Sequence, residues 1–238
     1  MTTLLLHSGG MDSQVCWLMN PTWKPVYVAH GAEQEVEEIK ALANIRWRDS
    51  RFQPCVLRLG FAPDIERDGH IAHRNALLLT AALAAFPKAD AVAYGALLGE
   101  GSGDKSSSFA RHLAESLSIG EGRPIKVLRP LRHMTKAQAL RKGIELDNCG
   151  TLDVTTSCYH GTACGRCQPC FRLGIAQYLN GLRSDLPALP TETKGVRATL
   201  RANSLSRWPA LALANTDVIR AHGLYYARSL VGKSPARK

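Results

Sequence analysis

The sequence predicts a doubly wound α/β domain on a parallel five-stranded sheet, followed by a small C-terminal cysteine-rich helical module. Three observations carry this. Short β-type apolar runs alternate with helical patterns through residues 1–150. A Ser-Gly-Gly turn joins the first run to the first helix. Where the alternation stops, four of the seven cysteines crowd into thirteen positions, Cys158 to Cys170.

In order, Thr3 to His7 reads as a first strand, and Met11 to Met19 has the apolar spacing of a helix that Pro21 closes. Pro25 to Ala29 alternates as a second strand. Glu33 to Trp47 is a charged helix whose apolar face is expected at Val36, Ile39, Ala43 and Trp47. Cys55 to Leu59 is the third strand. After a polar loop, Asn75 to Phe86 is an Ala- and Leu-rich helix ended by Pro87. Ala91 to Tyr94 is the fourth strand, and Ser106 to Leu117 a helix that Ser106, Ser107 or Ser108 caps. Ile125 to Arg129 is the fifth strand, and Thr135 starts the next helix. Such alternation implies right-handed crossovers and a sheet covered on both faces, with ligands at the carboxyl ends of the strands. His7, His30, Gly60 and Gly95 fall there. Three segments are expected: an α/β domain over 1–150, a cysteine module over 151–186 with a helix from Arg172 to Leu182, and a basic extension over 187–238.

At 238 residues and 45% hydrophobic, the chain can bury one sizeable core and a satellite. The run Leu4 to Leu6 is too short for a signal peptide, and no stretch approaches the roughly 18 apolar residues of a membrane span. A soluble, cytoplasmic protein is expected, with no membrane partner. The formal charge of +10 suits anionic partners, nucleic acid among them. From Lys194 to Lys238 the only acidic residue is Asp217, so the tail is either a docking surface or a solvated one.

Ser8-Gly9-Gly10-Met11-Asp12-Ser13 lies between strand and helix, where backbone N–H groups and the helix N-terminus favour an anion such as phosphate. The glycines permit close approach, Ser8 and Ser13 offer hydroxyls, and Asp12 can hold Mg²⁺. The plainer reading is a tight turn in which Asp12 or Ser13 caps the helix. The segment lacks the Gly-Lys-Ser/Thr of a Walker A loop and the G-x-G-x-x-G of dinucleotide folds. S-G-G-x-D-S resembles the PP-loop of ATP-pyrophosphatases, whose fold is adenine nucleotide alpha-hydrolase-like and whose members cleave ATP between the α and β phosphates. That resemblance implies ATP held by Ser8, Gly9, Gly10, Met11, Asp12 and Ser13, with His30 and Gly95 near the nucleotide. Asp12 and Ser13 then belong to the catalytic set. Lys136 joins it if it neutralises phosphate from across the site, or is a solvated lysine at a helix start.

The spacing C-x5-C-x2-C-x2-C lets Cys158, Cys164, Cys167 and Cys170 enclose Zn²⁺ with no open position, a structural site. A redox dithiol at Cys167 and Cys170 and an iron–sulfur cluster are the alternatives. Cys16, Cys55 and Cys149 remain as ordinary thiols, and His160 as a spectator.

The two motifs in this order resemble the 7-cyano-7-deazaguanine synthase family over roughly residues 3 to 182. Thr156-Ser157-Cys158-Tyr159, Cys164-Gly165-Arg166-Cys167, Arg172, Arg74-Asn75, Pro130-Leu131 and Thr135-Lys136 agree with it. The resemblance implies an ATP-dependent ligase, usually dimeric, that adenylates 7-carboxy-7-deazaguanine. Ammonia then gives the amide, and a second ATP drives loss of water to the nitrile. Arg74, Asn75, Asp104, Phe109 and Tyr159 are the implied substrate contacts, Phe109 and Tyr159 as aromatic walls. One stretch departs: where the family has Asp-Cys-Arg before Phe, this chain has Asp104-Lys105-Ser106-Ser107-Ser108-Phe109. A serine hydroxyl does not reproduce arginine's planar fork. The acceptor nitrogen could therefore be an amine of a peptide or protein, as in divergent branches linked to antiviral defence, with catalysis stopping at the amide. A tRNA-modifying PP-loop enzyme is a further alternative.

Overall fold

The structure, a computed structural model, describes residues 1–60, 71, 73–98, 100, 102–161, 163–185, 187, 217 and 220. Five strands, β1 (Thr3–Leu6), β2 (Lys24–Ala29), β3 (Cys55–Arg58), β4 (Ala91–Ala93) and β5 (Lys126–Leu128), form one sheet in the order β3-β2-β1-β4-β5. Every neighbouring pair is parallel. The chain therefore starts in the centre, winds to one edge and crosses back to build the other half. This leaves a crevice above β1 and β4, where the winding reverses.

The helices are α1 (Met11–Met19), α2 (Glu35–Arg48), α3 (Arg74–Ala85), α4 (Ser107–Glu121), α5 (Lys136–Leu146) and α6 (Gln168–Leu179). Side chains alternate through the sheet. Leu5, Tyr27, Ala29 and Ala93 enter a core with α1, α2, α5 and α6, while Leu4, Val26, Val28 and Val92 enter a second core with α3 and α4. Trp17 in the first core is fully buried and stands edge-on to Phe52 at 5.1 Å. Truncating it to alanine would cost about 3–5 kcal/mol. Among the described residues no helix is long and apolar enough to cross a membrane.

One expected face and several boundaries differ. On α2 the core face is Ala41, Leu42 and Ile45, with Ile39 beside it, whereas Val36 is 61% and Trp47 86% exposed. Helical spacing alone admits both stripes, and packing against the first core selects the continuous aliphatic one. α4 runs past Leu117 to Glu121 because Gly122 supplies the left-handed turn that stops it. α6 starts at Gln168, four residues earlier than the periodicity implied, since Cys167 turns extended before it and Pro169 suits a first turn. It ends at Leu179, and Ala176, Leu173 and Leu179 join the first core. The segment after Pro187 lies outside the described residues except Asp217 and Arg220. The Asp217 carboxylate accepts the Ala137 N–H at 2.9 Å, capping the start of α5.

Candidate active site

β1 ends at Leu6, and the chain turns through His7, Ser8, Gly9 and Gly10 into α1. Gly9 has φ +72°, and a Cβ there would lie 2.8 Å from the Glu38 carbonyl and 2.9 Å from the Ala41 Cβ, so α2 packs directly on the turn. Gly95, after β4, presses from the other side: a Cβ would come within 3.2 Å of the Asp12 Cβ and 3.3 Å of the Ser13 nitrogen. The Ser13 hydroxyl donates to the Gly10 carbonyl at 2.8 Å.

Beneath the turn runs a buried polar relay. The Gly9 N–H donates to His7 Nδ1 at 3.1 Å, so that nitrogen is the acceptor and Nε2 carries the proton. His7 Nε2 then meets Gln14 Oε1 at 3.0 Å, the Gln14 amide donates to Thr151 Oγ1 at 2.7 Å, and the Thr151 hydroxyl donates to Asp147 at 2.9 Å. Burial lowers the His7 imidazole to about 3, so the ring is neutral. The Gly9 N–H is thus engaged inward, away from the cleft.

Above the turn lies a cleft of about 270 Å³. Ser8, Gly10, Asp12, Ser13, Lys136 and Gly95 line its floor. Lys136, at the start of α5, donates to both Asp12 carboxylate oxygens at 2.9 and 2.8 Å. A capping box between Thr135 and Gln138 fixes that helix start. One wall carries Tyr27, His30 and Glu38, another Arg74 and Asn75, and the mouth Tyr159, which is 47% exposed. His30 donates from Nδ1 to the Val28 carbonyl at 2.9 Å, and among the described residues its buried Nε2 has no partner.

Not every expected residue reaches the cleft. Met11 is buried in the first core, Gly9 lies beneath the turn, and Phe109 packs with Leu113 and Leu117 in the second core. Phe109 is drawn inward because the Ser106 hydroxyl caps α4 by accepting its N–H at 3.0 Å. Asp104 acts behind Asn75, accepting its amide at 2.7 Å. Glu100, Lys105 and Glu38 line the cleft without having been expected there, and Arg172, named only as agreeing with the family motif, lines it too. Lys105 and Arg172 converge on Glu100 Oε1 at 2.8 and 3.1 Å. Burial alone would raise the Glu100 carboxyl, but the two cations hold it down near 2.

The four cysteines stand beside this cleft. Their sulfurs all lie within 4.8 Å of one another, with Cys158 to Cys167 at 3.9 Å and Cys164 to Cys170 at 4.0 Å. Four thiolates at about 2.3 Å from one ion stand roughly 3.8 Å apart, so the set fits a tetrahedral metal. The backbone N–H groups of His160 and Arg166 donate to Cys158 and Cys164, as thiolate ligands require. The segment is tied to the turn: the Thr156 N–H donates to the Gly9 carbonyl at 2.9 Å, two residues before the first ligand.

Fold and site together define a doubly wound α/β protein with a glycine turn after its first strand and, beside the cleft, four cysteines placed so that they could hold a metal ion. The sequence model of the family described as queuosine biosynthesis protein QueC matches residues 53–176, just over half of the 238, and the chain belongs to that family. It is similar to the 7-cyano-7-deazaguanine synthases of Alcanivorax borkumensis (45% identical over 56 residues, 21% of this chain and 23% of that protein) and Sulfurimonas denitrificans (34% over 122 residues, 48% and 51%). The synthase of Sulfolobus acidocaldarius is 31% identical over 100 residues, 40% of this chain and 21% of that protein. The chain spans about a fifth to a half of the length of these relatives.

Proposed function

We propose that this protein is an ATP-dependent carbon–nitrogen ligase that adenylates the carboxylate of a 7-carboxy-7-deazaguanine. Ammonia gives the amide, and a second adenylation, on the amide oxygen, expels water to form the nitrile. The observation that carries the reading is the Asp12–Lys136 pair at the mouth of the Ser8–Ser13 turn, in a cleft walled by the cysteine segment.

Gly10, Ser8 and the N-terminus of α1 receive the phosphates. Lys136 leaves Asp12 for the phosphate charge as ATP enters, which frees a carboxylate to bind Mg²⁺. That ion, when bound, neutralises the pyrophosphate leaving group. Transfer of AMP to oxygen turns a poor leaving group into a good one. Ser13 positions the turn through Gly10. Arg74 and Asn75, the latter held by Asp104, orient the deazaguanine, and Tyr159 covers it at the mouth. The metal module holds Zn²⁺ as a strut under the turn.

A second reading rests on the 104–109 stretch. Lys105 is engaged with Glu100 and Ser106 caps α4, so neither replaces the family arginine. In this reading the enzyme stops at the amide, and the nitrogen belongs to a peptide or protein amine, in a defence setting. A tRNA-directed sulfur transfer is disfavoured because the four clustered sulfurs face one another. A homodimer and a docking role for the basic tail belong to the same proposal.

The test is incubation with ATP, 7-carboxy-7-deazaguanine and ammonia, with the products identified by mass. Nitrile with two AMP formed supports the first reading, and amide with one AMP the second. ATP turnover that ignores the deazaguanine sinks both.

A further inference from the structure

The proposed chemistry makes no use of Glu100, Lys105 and Arg172, although all three line the cleft. Glu100 is the knot of this cluster, with its side chain 6% exposed. One of its carboxylate oxygens accepts from the Leu97 N–H at 2.9 Å. The other accepts from Lys105 Nζ at 2.8 Å and from Arg172 Nη1 at 3.1 Å. The loop that carries Glu100 and Lys105 is also fixed by other bonds. The Leu98 N–H donates to the Met134 carbonyl at 2.9 Å, and the Tyr94 hydroxyl to the Asp104 carbonyl at 3.1 Å. Arg172 arrives from α6, so two distant parts of the chain meet on one carboxylate.

Two cations share that carboxylate, which leaves the cluster one positive charge in excess. Their side chains are only 24% and 33% exposed, so the surplus charge is poorly solvated and an anion entering the cleft would offset it. Lys105 makes the shorter bond to Glu100 and is the less exposed, so it is the committed partner. Arg172 uses Nη1 alone. Among the described residues its Nε and Nη2 have no hydrogen-bond partner, and these two N–H groups form the side-on fork that matches a carboxylate in two parallel bonds.

Two anions are candidates, a phosphate of the nucleotide and the carboxylate of the acceptor. The phosphate turn follows β1 and has its own cation in Lys136, whereas the cluster lies after β4 and on α6. The acceptor's ring residues join the cluster instead, because the Asn75 amide donates to Asp104, the neighbour of Lys105, at 2.7 Å.

We propose that the Nε–Nη2 edge of Arg172 receives the free carboxylate of the acceptor before adenylation, and so selects the acid over the amide. This rests on the ligase reading. The amide formed in the first half of the reaction carries no charge and gains nothing from the fork, so it is held by its ring alone. Arg172 is then a specificity-determining residue for the first adenylation and indifferent to the second.

The experiment measures Kd by calorimetry in the presence of a saturating non-hydrolysable ATP analogue, for 7-carboxy-7-deazaguanine and for its 7-carboxamide. Wild type should bind the acid about tenfold or more tightly than the amide, the scale of one charge-assisted bidentate contact. Arg172→Gln should remove that preference by weakening the acid alone, with amide and ATP-analogue affinities unchanged. Arg172→Lys, which keeps a charge for Glu100 but not the fork, should fall between the two. The amide serves as the control for folding within each variant. Equal weakening of acid and amide, weaker binding of the ATP analogue, or an acid preference that survives in Arg172→Gln each overturns the proposal and leaves the ligase reading standing. A wild type that binds the ATP analogue but neither deazaguanine overturns both.

Discussion

Lys136 grips both carboxylate oxygens of Asp12 across 124 positions of sequence. The side chains are 9% and 26% exposed, so neither charge is well solvated if the other is removed. Lys136→Met and Asp12→Asn should each lower the AMP-forming rate by about 10²–10³-fold, the scale of one lost charge-stabilising group. Each should also lower the melting temperature, because it leaves the partner's charge buried and unpaired. Rates near wild type in either variant would mean that the pair is structural only.

Gly95 tests the turn from behind. Gly95→Ala places a methyl 3.2 Å from the Asp12 Cβ, in backbone that has little room to give. The expected result is at least tenfold weaker ATP binding with a loss of about 1–2 kcal/mol in stability. Titration calorimetry and urea unfolding measure the two.

His7 makes an acid-sensitive foundation. Its ionisation falls from the ordinary range near 6.5 to about 3 on folding, because burial penalises the charged ring. A depressed histidine contributes stability fully above about pH 6.5 and loses it as pH falls toward 3, by up to about 1.4 kcal/mol per pH unit. Between pH 7 and 5 wild type should therefore lose about 2 kcal/mol more than His7→Asn, whose amide can still accept from Gly9. Denaturation at the two pH values checks this, and equal losses would contradict the buried neutral ring.

The four-cysteine segment is coupled to the turn through Thr156 and Gly9. Purified protein should carry one zinc per chain and show no visible iron–sulfur absorption. Chelation, or Cys167→Ser, should lower the melting temperature by roughly 5 °C or more and weaken ATP binding as well. Metal loss without any change in nucleotide affinity would show that the strut does not reach the turn.

Much of this molecule is legible in the sequence, and the limits have physical causes. α1 falls on Met11–Met19 because Gly10 and Pro21 bracket it, and Thr135 marks the start of α5 through its capping box. The four cysteines are readable by spacing, and the sulfurs do cluster. Glu38 was invisible because a glutamate on a charged helix looks solvated, and only the approach of Tyr27 turns it inward. Glu100 and Lys105 sit in a glycine-rich loop whose path no local pattern specifies. Phe109 follows a serine triplet with three candidate caps, and the choice of Ser106 rotates it into the core. On α2 two apolar stripes compete, and tertiary packing alone decides between them.

The most direct test of the central claim follows an oxygen atom. The protein is given ATP, ammonia and 7-carboxy-7-deazaguanine labelled with ¹⁸O in its carboxylate, and the AMP released is weighed by mass spectrometry. The account predicts that AMP carries one labelled oxygen, because the carboxylate oxygen that takes AMP leaves with it when nitrogen attacks. Unlabelled AMP, or ADP and phosphate in its place, would contradict it.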